Sequence, residues 1–179
     1  AAKETLTVMT LNMAHGGPGN LAQFLQGETG IHENIRQIST LIDRHRPNVV
    51  ALQEADGPSG WSGSFNHVGR IASRTGLSYS VRGEHVDGMS LSYGTALLCD
   101  RPLDDPLSVT FKPAPPLLCK GFVVSSIDVP DLNTPVDVVS VHLDFLRDGV
   151  RRSQIHELIQ KLNERGRPVI VMGDFNSGW

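Results

Sequence analysis

Apolar residues recur along this chain with two periods. Short continuous or alternating runs mark strands, and spacings of three to four residues mark helices. Residues 5–11, Thr-Leu-Thr-Val-Met-Thr-Leu, read as a strand that ends at Asn12. Ile31, Ile35, Ile38, Leu41 and Ile42 share one face of a helix near 31–45. Pro47 separates it from Val49-Val50-Ala51-Leu52, an apolar strand that runs into Gln53-Glu54. Such a strand–helix–strand unit fits a crossover over a sheet buried on both faces. A second helix near 64–75 carries Phe65, Val68, Ile71 and Ala72 on one side. Segments 77–82, 93–99, 121–129 and 136–142 read as strands with no helical period between them. That pattern predicts an antiparallel meander. The Pro-rich stretch 102–118 reads as an irregular linker. A third helix near 150–164 turns Ile155, Leu158, Ile159 and Leu162 inward and ends at Gly166; the strand 168–172 follows.

Helices interleaved with two sets of strands predict two packed sheets with helices outside. A single doubly wound sheet is the competing topology, and the meander weighs against it, because that fold places a helix between most strands. Val169, Ile170, Val171 and Met172 are apolar on both faces, which predicts a central strand. A central strand needs a neighbour on each side. The expectation is therefore of an incomplete domain over 1–179, finished by further sequence, by a second chain or by self-association.

Composition adds bounds. The 179 residues suit one domain with a real core, and 39% hydrophobic and 20% charged residues are ordinary for a globular protein. No apolar run is long enough to span a bilayer, and the start, Ala1-Ala2-Lys3-Glu4, leaves secreted, periplasmic and cytoplasmic locations open. The net charge of −3 gives no broad basic surface for nucleic acid, although it is compatible with local cleavage of one. Cys99 and Cys119 are equally compatible with one disulfide and with two buried thiols.

The candidate chemistry lies at strand ends: Asn12, Glu54, His142 with Asp144, and Asp174 with Asn176. A single Asn or Asp there is an ordinary turn former. Glu54 differs, because it follows four apolar residues and its carboxylate must be paired, bind metal or take up a proton. Mg²⁺, with Mn²⁺ as substitute, suits such oxygen ligands. Glu54 would anchor the ion, with Asn12 as amide donor. Asp174 would orient and deprotonate a water, and Asn176 would hold Asp174 or the attacked phosphate. His142 reads either as a phosphate donor or as a core histidine, since Val139 and Val141 share its strand.

In chain order, Thr10-Leu11-Asn12-Met13, Ala51-Leu52-Gln53-Glu54, Tyr93-Gly94-Thr95-Ala96-Leu97-Leu98, Ser140-Val141-His142-Leu143-Asp144 and Gly173-Asp174-Phe175-Asn176 resemble the motifs of the endonuclease/exonuclease/phosphatase superfamily. The resemblance runs from about residue 5 to residue 176. It implies a DNase I-like four-layer α/β/β/α sandwich of two mixed sheets. It also implies hydrolysis of a phosphate ester, most simply a phosphodiester, by a metal-site water. Asn12 and Glu54 become metal-side residues, His142 and Asn176 contact the scissile phosphate, Asp174 activates the water, and Asp144 supports. Two departures stand out. The family's closing strands and late Asp-His pair have no counterpart here, and Thr95 stands where many members carry Asn or another polar group.

Substrate-side candidates are Arg147, Arg151 and Arg152, which suit a second phosphate or simply a solvated helix start. The loop His15–Gly19 offers backbone N–H groups, and Trp61 and Tyr93 are aromatic platforms for a base or a lipid headgroup. The alternatives to a general phosphodiesterase are a DNase-like or abasic-site endonuclease, a sphingomyelinase-like lipid phosphodiesterase using an apolar loop such as 114–118, and a noncatalytic binding module.

Overall fold

A computed structural model describes residues 5–14, 28–59, 64–87, 92–116, 118–130 and 132–177. The chain runs β1 (Val8–Asn12), α1 (Glu28–His45), β2 (Val49–Asp56), α2 (His67–Ala72), β3 (Tyr79–Val86) and β4 (Tyr93–Cys99). It continues through β5 (Asp104–Thr110), β6 (Gly121–Ile127), β7 (Val136–His142), α3 (Asp148–Arg165) and β8 (Val169–Asp174). Two four-stranded sheets form, in orders β1-β2-β4-β3 and β5-β6-β7-β8. Each is mixed: β1/β2 and β7/β8 are parallel pairs, joined over α1 and α3, and the remaining pairs are antiparallel. This is the DNase I-like α/β/β/α sandwich.

Strand alternation builds the layers. Val50, Leu52, Ala96 and Leu98 face one way and pack with Ile31, Ile35 and Ile42 of α1 and Val68 and Ile71 of α2. Val49, Ala51, Leu97 and Cys99 face the other way and meet Val123, Val138 and Met172 between the sheets. Phe122, Val124, Val139 and Val141 form the far face, covered by Leu158 and Leu162 of α3.

Several elements differ from the sequence reading, each for a physical reason. The expected meander is split, with β3 and β4 in one sheet and β5, β6 and β7 in the other. The expected linker 102–118 contains β5, whose Pro106 is tolerated because β5 is an edge strand with an irregularity between Asp104 and Leu107. The second helix is only six residues, started by Asn66, whose side chain accepts from Gly69 N. The buried stripe of α3 is Gln154 and Leu158, extended by Leu162. Ile155 (37% exposed) and Ile159 (50%) lie about 100° round from it, and so does Leu41 from Ile42 on α1. Among the described strands β8 has β7 as its one neighbour, and Val169 is 42% exposed. Both cysteines are free, Cys99 buried and Cys119 partly so. Among the described residues no helix is long and apolar enough to cross a membrane.

His85 links three strands inside the sandwich. Its Nε2 lies 2.9 Å from Thr95 Oγ1, and its Nδ1 lies 3.2 Å from Thr110 Oγ1. The Thr110 hydroxyl donates to the Glu84 carbonyl, so Nδ1 donates to Thr110, and in the neutral ring Nε2 then accepts from Thr95. Burial, followed by the charges of Arg82 and Lys120, lowers its pKa to about 4. The unfolded chain takes up this proton near pH 6.5. The resulting stability is fully present above that value and is lost as pH falls toward 4, to a limit of roughly 3 kcal/mol. Urea melts at pH 7.5 and pH 4.5 should show a larger loss for wild type than for His85→Gln; equal losses contradict a buried neutral His85.

Candidate active site

The site is built on one parity. Thr10 and Asn12, Gln53, Tyr93 and Thr95, Ser140 and His142, and Asp174 occupy alternate strand positions that face between the sheets. By the same alternation Glu54 would point outward beneath α1. A bulge prevents this. The β2/β4 register shifts between Gln53 and Ala55, and Glu54 has φ 53°. The extra residue re-aims its carboxylate, and Ala55 takes the outward place in the α1 core.

At the strand ends these groups converge. Asn12 Nδ2 donates to Asp174 Oδ2 at 2.9 Å, joining β1 of one sheet to β8 of the other. Asn176, at φ 49°, donates its backbone N–H to Asp174 Oδ1 at 3.0 Å. Its side-chain amide donates to the Leu143 carbonyl at 2.9 Å. Asp174 is thus held through both carboxylate oxygens. His142 lies between two carboxylates, its Nε2 3.8 Å from Glu54 Oε1 and 3.8 Å from Asp174 Oδ2. Side-chain exposure grades outward, from 4% at His142 through 19% at Glu54 to 29% at Asp174, giving a polar floor with two acidic walls. Gly173 lets β8 come this close, because a Cβ there would sit 2.0 Å from the Val141 carbonyl oxygen.

A buried network fixes the two walls. Gln53 Nε2 donates to Ser140 Oγ at 3.0 Å, and the Ser140 hydroxyl donates to the Leu52 carbonyl at 2.8 Å. Thr10 Oγ1 donates to Gln53 Oε1 at 3.3 Å. Gln53 precedes the bulge, and Ser140 lies two residues before His142, so the contact ties Glu54 to His142 across the sheets.

Other expected residues have protein partners. Thr95 is fully buried and bonded to His85. Tyr93 donates to the Cys119 carbonyl at 3.1 Å, and burial, then the negative charge of Glu54, raises its phenol pKa. Asp144 is 1% exposed. Burial opposes its charge, but the Arg147 and Leu146 N–H groups and the Arg147 guanidinium hold its pKa below the ordinary value. Arg147 also grips the Ala114 and Pro115 carbonyls, and Arg151 the Asp144 carbonyl and Asp148. Arg152 is exposed. The His15–Gly19 loop, Trp61 and Leu117 lie outside the described residues. The sequence reading missed Lys120, whose Nζ lies 3.1 Å from His142 Nε2. Nothing local in the sequence marks it; the register of β6 against β7 brings it level with His142.

The family model described as Endonuclease/Exonuclease/phosphatase family matches residues 9–179. The chain belongs to that family. Solved structures agree on the fold. An endonuclease/exonuclease/phosphatase from Beutenbergia cavernae is 21% identical with TM-score 0.71, over 96% of this chain and 47% of that one. Sphingomyelinase C from Streptomyces griseocarneus is 22% identical with TM-score 0.67, over 97% and 65%. A beta toxin from Staphylococcus aureus is 16% identical with TM-score 0.70, over 97% and 66%. At these identities the likeness is one of fold, and the chain spans about half to two thirds of each structure. No curated protein matches it.

The Gln53–Ser140 bond predicts a test of site assembly. Ser140→Ala leaves the buried Gln53 amide short of an acceptor and should cost about 1–3 kcal/mol in stability. Gln53→Leu with Ser140→Ala removes both partners and should cost less than the sum of the single changes, read by a double-mutant cycle in urea. Strict additivity contradicts direct coupling.

Proposed function

We propose that this site hydrolyses a phosphate ester, a phosphodiester, by attack of a water held at Asp174. The observation that carries this reading is the doubly held Asp174 carboxylate beside His142 and Glu54. A carboxylate accepting two N–H bonds is fixed in direction, which suits it to orient a water and take its proton. His142, beside both carboxylates, is placed to donate to a non-bridging phosphate oxygen as charge develops there. Asn12 and Asn176 keep Asp174 from rotating away.

The family reading includes Mg²⁺, and the donor set fits it. Glu54 offers a carboxylate and Asn12 an amide oxygen, and Mg²⁺ keeps several of its own waters. Among the described residues no three His, Cys, Asp or Glu side chains are arranged to hold a metal, so the fit is to a hydrated ion with few protein ligands. When bound, such an ion neutralises charge on the phosphate and lowers the pKa of its water. The Glu54 carboxylate would hold it.

A second reading, a lipid phosphodiesterase, is favoured by exposed Leu118, Phe145, Leu146 and Phe175 on the loops at this same end. A third reading is a module that binds phosphate esters without turnover.

Asp174→Asn keeps the shape and one acceptor but removes the base, and should lower kcat on bis-p-nitrophenyl phosphate about 10²–10⁴-fold. Near-normal turnover refutes the role of Asp174. Calorimetry should show weaker Mg²⁺ binding by Glu54→Gln, and identical binding refutes the ligand. A panel of sphingomyelin vesicles, abasic and single-stranded DNA and inositol phosphates separates the readings; phosphate binding with no turnover on any member selects the module.

A further inference from the structure

Every partly buried arginine on the described strands, loops and third helix has a carboxylate partner. Arg82 pairs with Glu84, Arg101 with Asp100, Arg147 with Asp144, Arg151 with Asp148, and Arg165 and Arg167 with Asp137 and Asp105. Lys120 differs. Its Nζ lies 3.1 Å from His142 Nε2 and 3.4 Å from Nδ1, and 5.7 Å from the centroid of the Tyr93 ring. Among the described residues no carboxylate forms an ion pair with it. Glu54, Asp174 and Asp144 are near enough for their fields to favour its charge, but burial outweighs them and lowers its pKa. A half-buried ammonium beside an imidazole and an aromatic face has spare N–H donors and an unmet desolvation cost. An anion bridging Lys120 and His142 would meet both.

We propose that Lys120 is a substrate-contacting residue of this site, donating with His142 to the same phosphoryl group. The inference rests on the phosphoester reading and adds to it a cation carried by the protein itself. His142 alone, set between Glu54 and Asp174, presents a phosphate with two repelling carboxylates. Lys120 approaches the same ring and offsets that repulsion. Glu54 and Asp174 against Lys120 leave the protein groups at a single negative charge, so a monoanionic phosphodiester is repelled less than a dianionic phosphomonoester. Before a metal binds, the site should therefore prefer the diester.

Acetic anhydride labelling read by mass spectrometry tests the contact without relying on turnover. Inorganic phosphate and dimethyl phosphate should slow acetylation of Lys120 and leave Lys112 and Lys161 unchanged. Unprotected Lys120 overturns the proposal. Lys120→Met should weaken both anions, measured by calorimetry, about tenfold to a hundredfold, and Lys120→Arg should recover most of that. A melting temperature lowered in Lys120→Met with anion affinity intact marks a structural lysine and also overturns it. If wild type cleaves no ester yet Lys120 is protected, the hydrolase reading fails and the contact stands. If wild type and Lys120→Met cleave bis-p-nitrophenyl phosphate with the same kcat and KM, the contact fails and the hydrolase reading stands.

Discussion

The Gln53–Ser140 bond is the constraint on which the site depends. Apolar packing between the sheets is non-directional, and Val49, Ala51, Leu97, Val123 and Val138 would tolerate a small slide of one sheet over the other. A hydrogen bond between two fully buried polar groups does not tolerate it, because an unmade bond there costs the whole desolvation of both. The network from Thr10 through Gln53 and Ser140 to the Leu52 carbonyl therefore fixes strand register across the sheets. Glu54 and His142, each within two residues of this lock, inherit the precision.

The second tie is electrostatic. Among the described strands β1 and β8 are edges of different sheets, and the Asn12–Asp174 bond joins them at the solvent end. The donor that holds Asp174 from β1 is a neutral amide, where an arginine would have bound the carboxylate in an ion pair. The opposite choice appears at Asp144, two residues beyond His142. There Arg147 and two backbone N–H groups hold the charge permanently, and the carboxylate anchors the start of α3 and the loop at Ala114–Pro115. Two aspartates at adjacent strand ends thus serve different ends through their partners.

How much of this was legible depends on the range of the interaction. Periodicity reads local burial, so the crossover helices, the apolar strands and the strand-end positions of Asn12, Glu54, His142 and Asp174 were available from the sequence. The shortfall came where a polar residue occupied a core position or an apolar one did not. Gln154 replaces an apolar residue on the buried stripe of α3, accepting from the Asp144 N–H, and so shifted the inferred face onto Ile155 and Ile159. β5 was hidden by prolines, which an edge strand accepts. The bulge at Glu54 leaves no local mark, because it is defined by pairing with β4. Lys120 reads in sequence as one more surface lysine; only the register of β6 against β7 brings it to His142.

These departures share a cost and a location. Ala14, Glu54 and Asn176 hold positive φ, three of the six non-glycine residues that do so among those described, and all three belong to this strand end. Left-handed backbone costs about 1–2 kcal/mol per ordinary residue. Lys120 adds a half-buried charge without an ion pair among the described residues. A fold selected for stability alone would remove each by a local change, with glycine at a positive φ or with an apolar side chain for Lys120. Their concentration where two carboxylates, an imidazole and an ammonium converge supports the reading of this end as the functional site. Strain fixes Glu54 and Asn176 in directions that regular strands cannot reach, and an ammonium with no carboxylate partner among the described residues has N–H donors left for an anion.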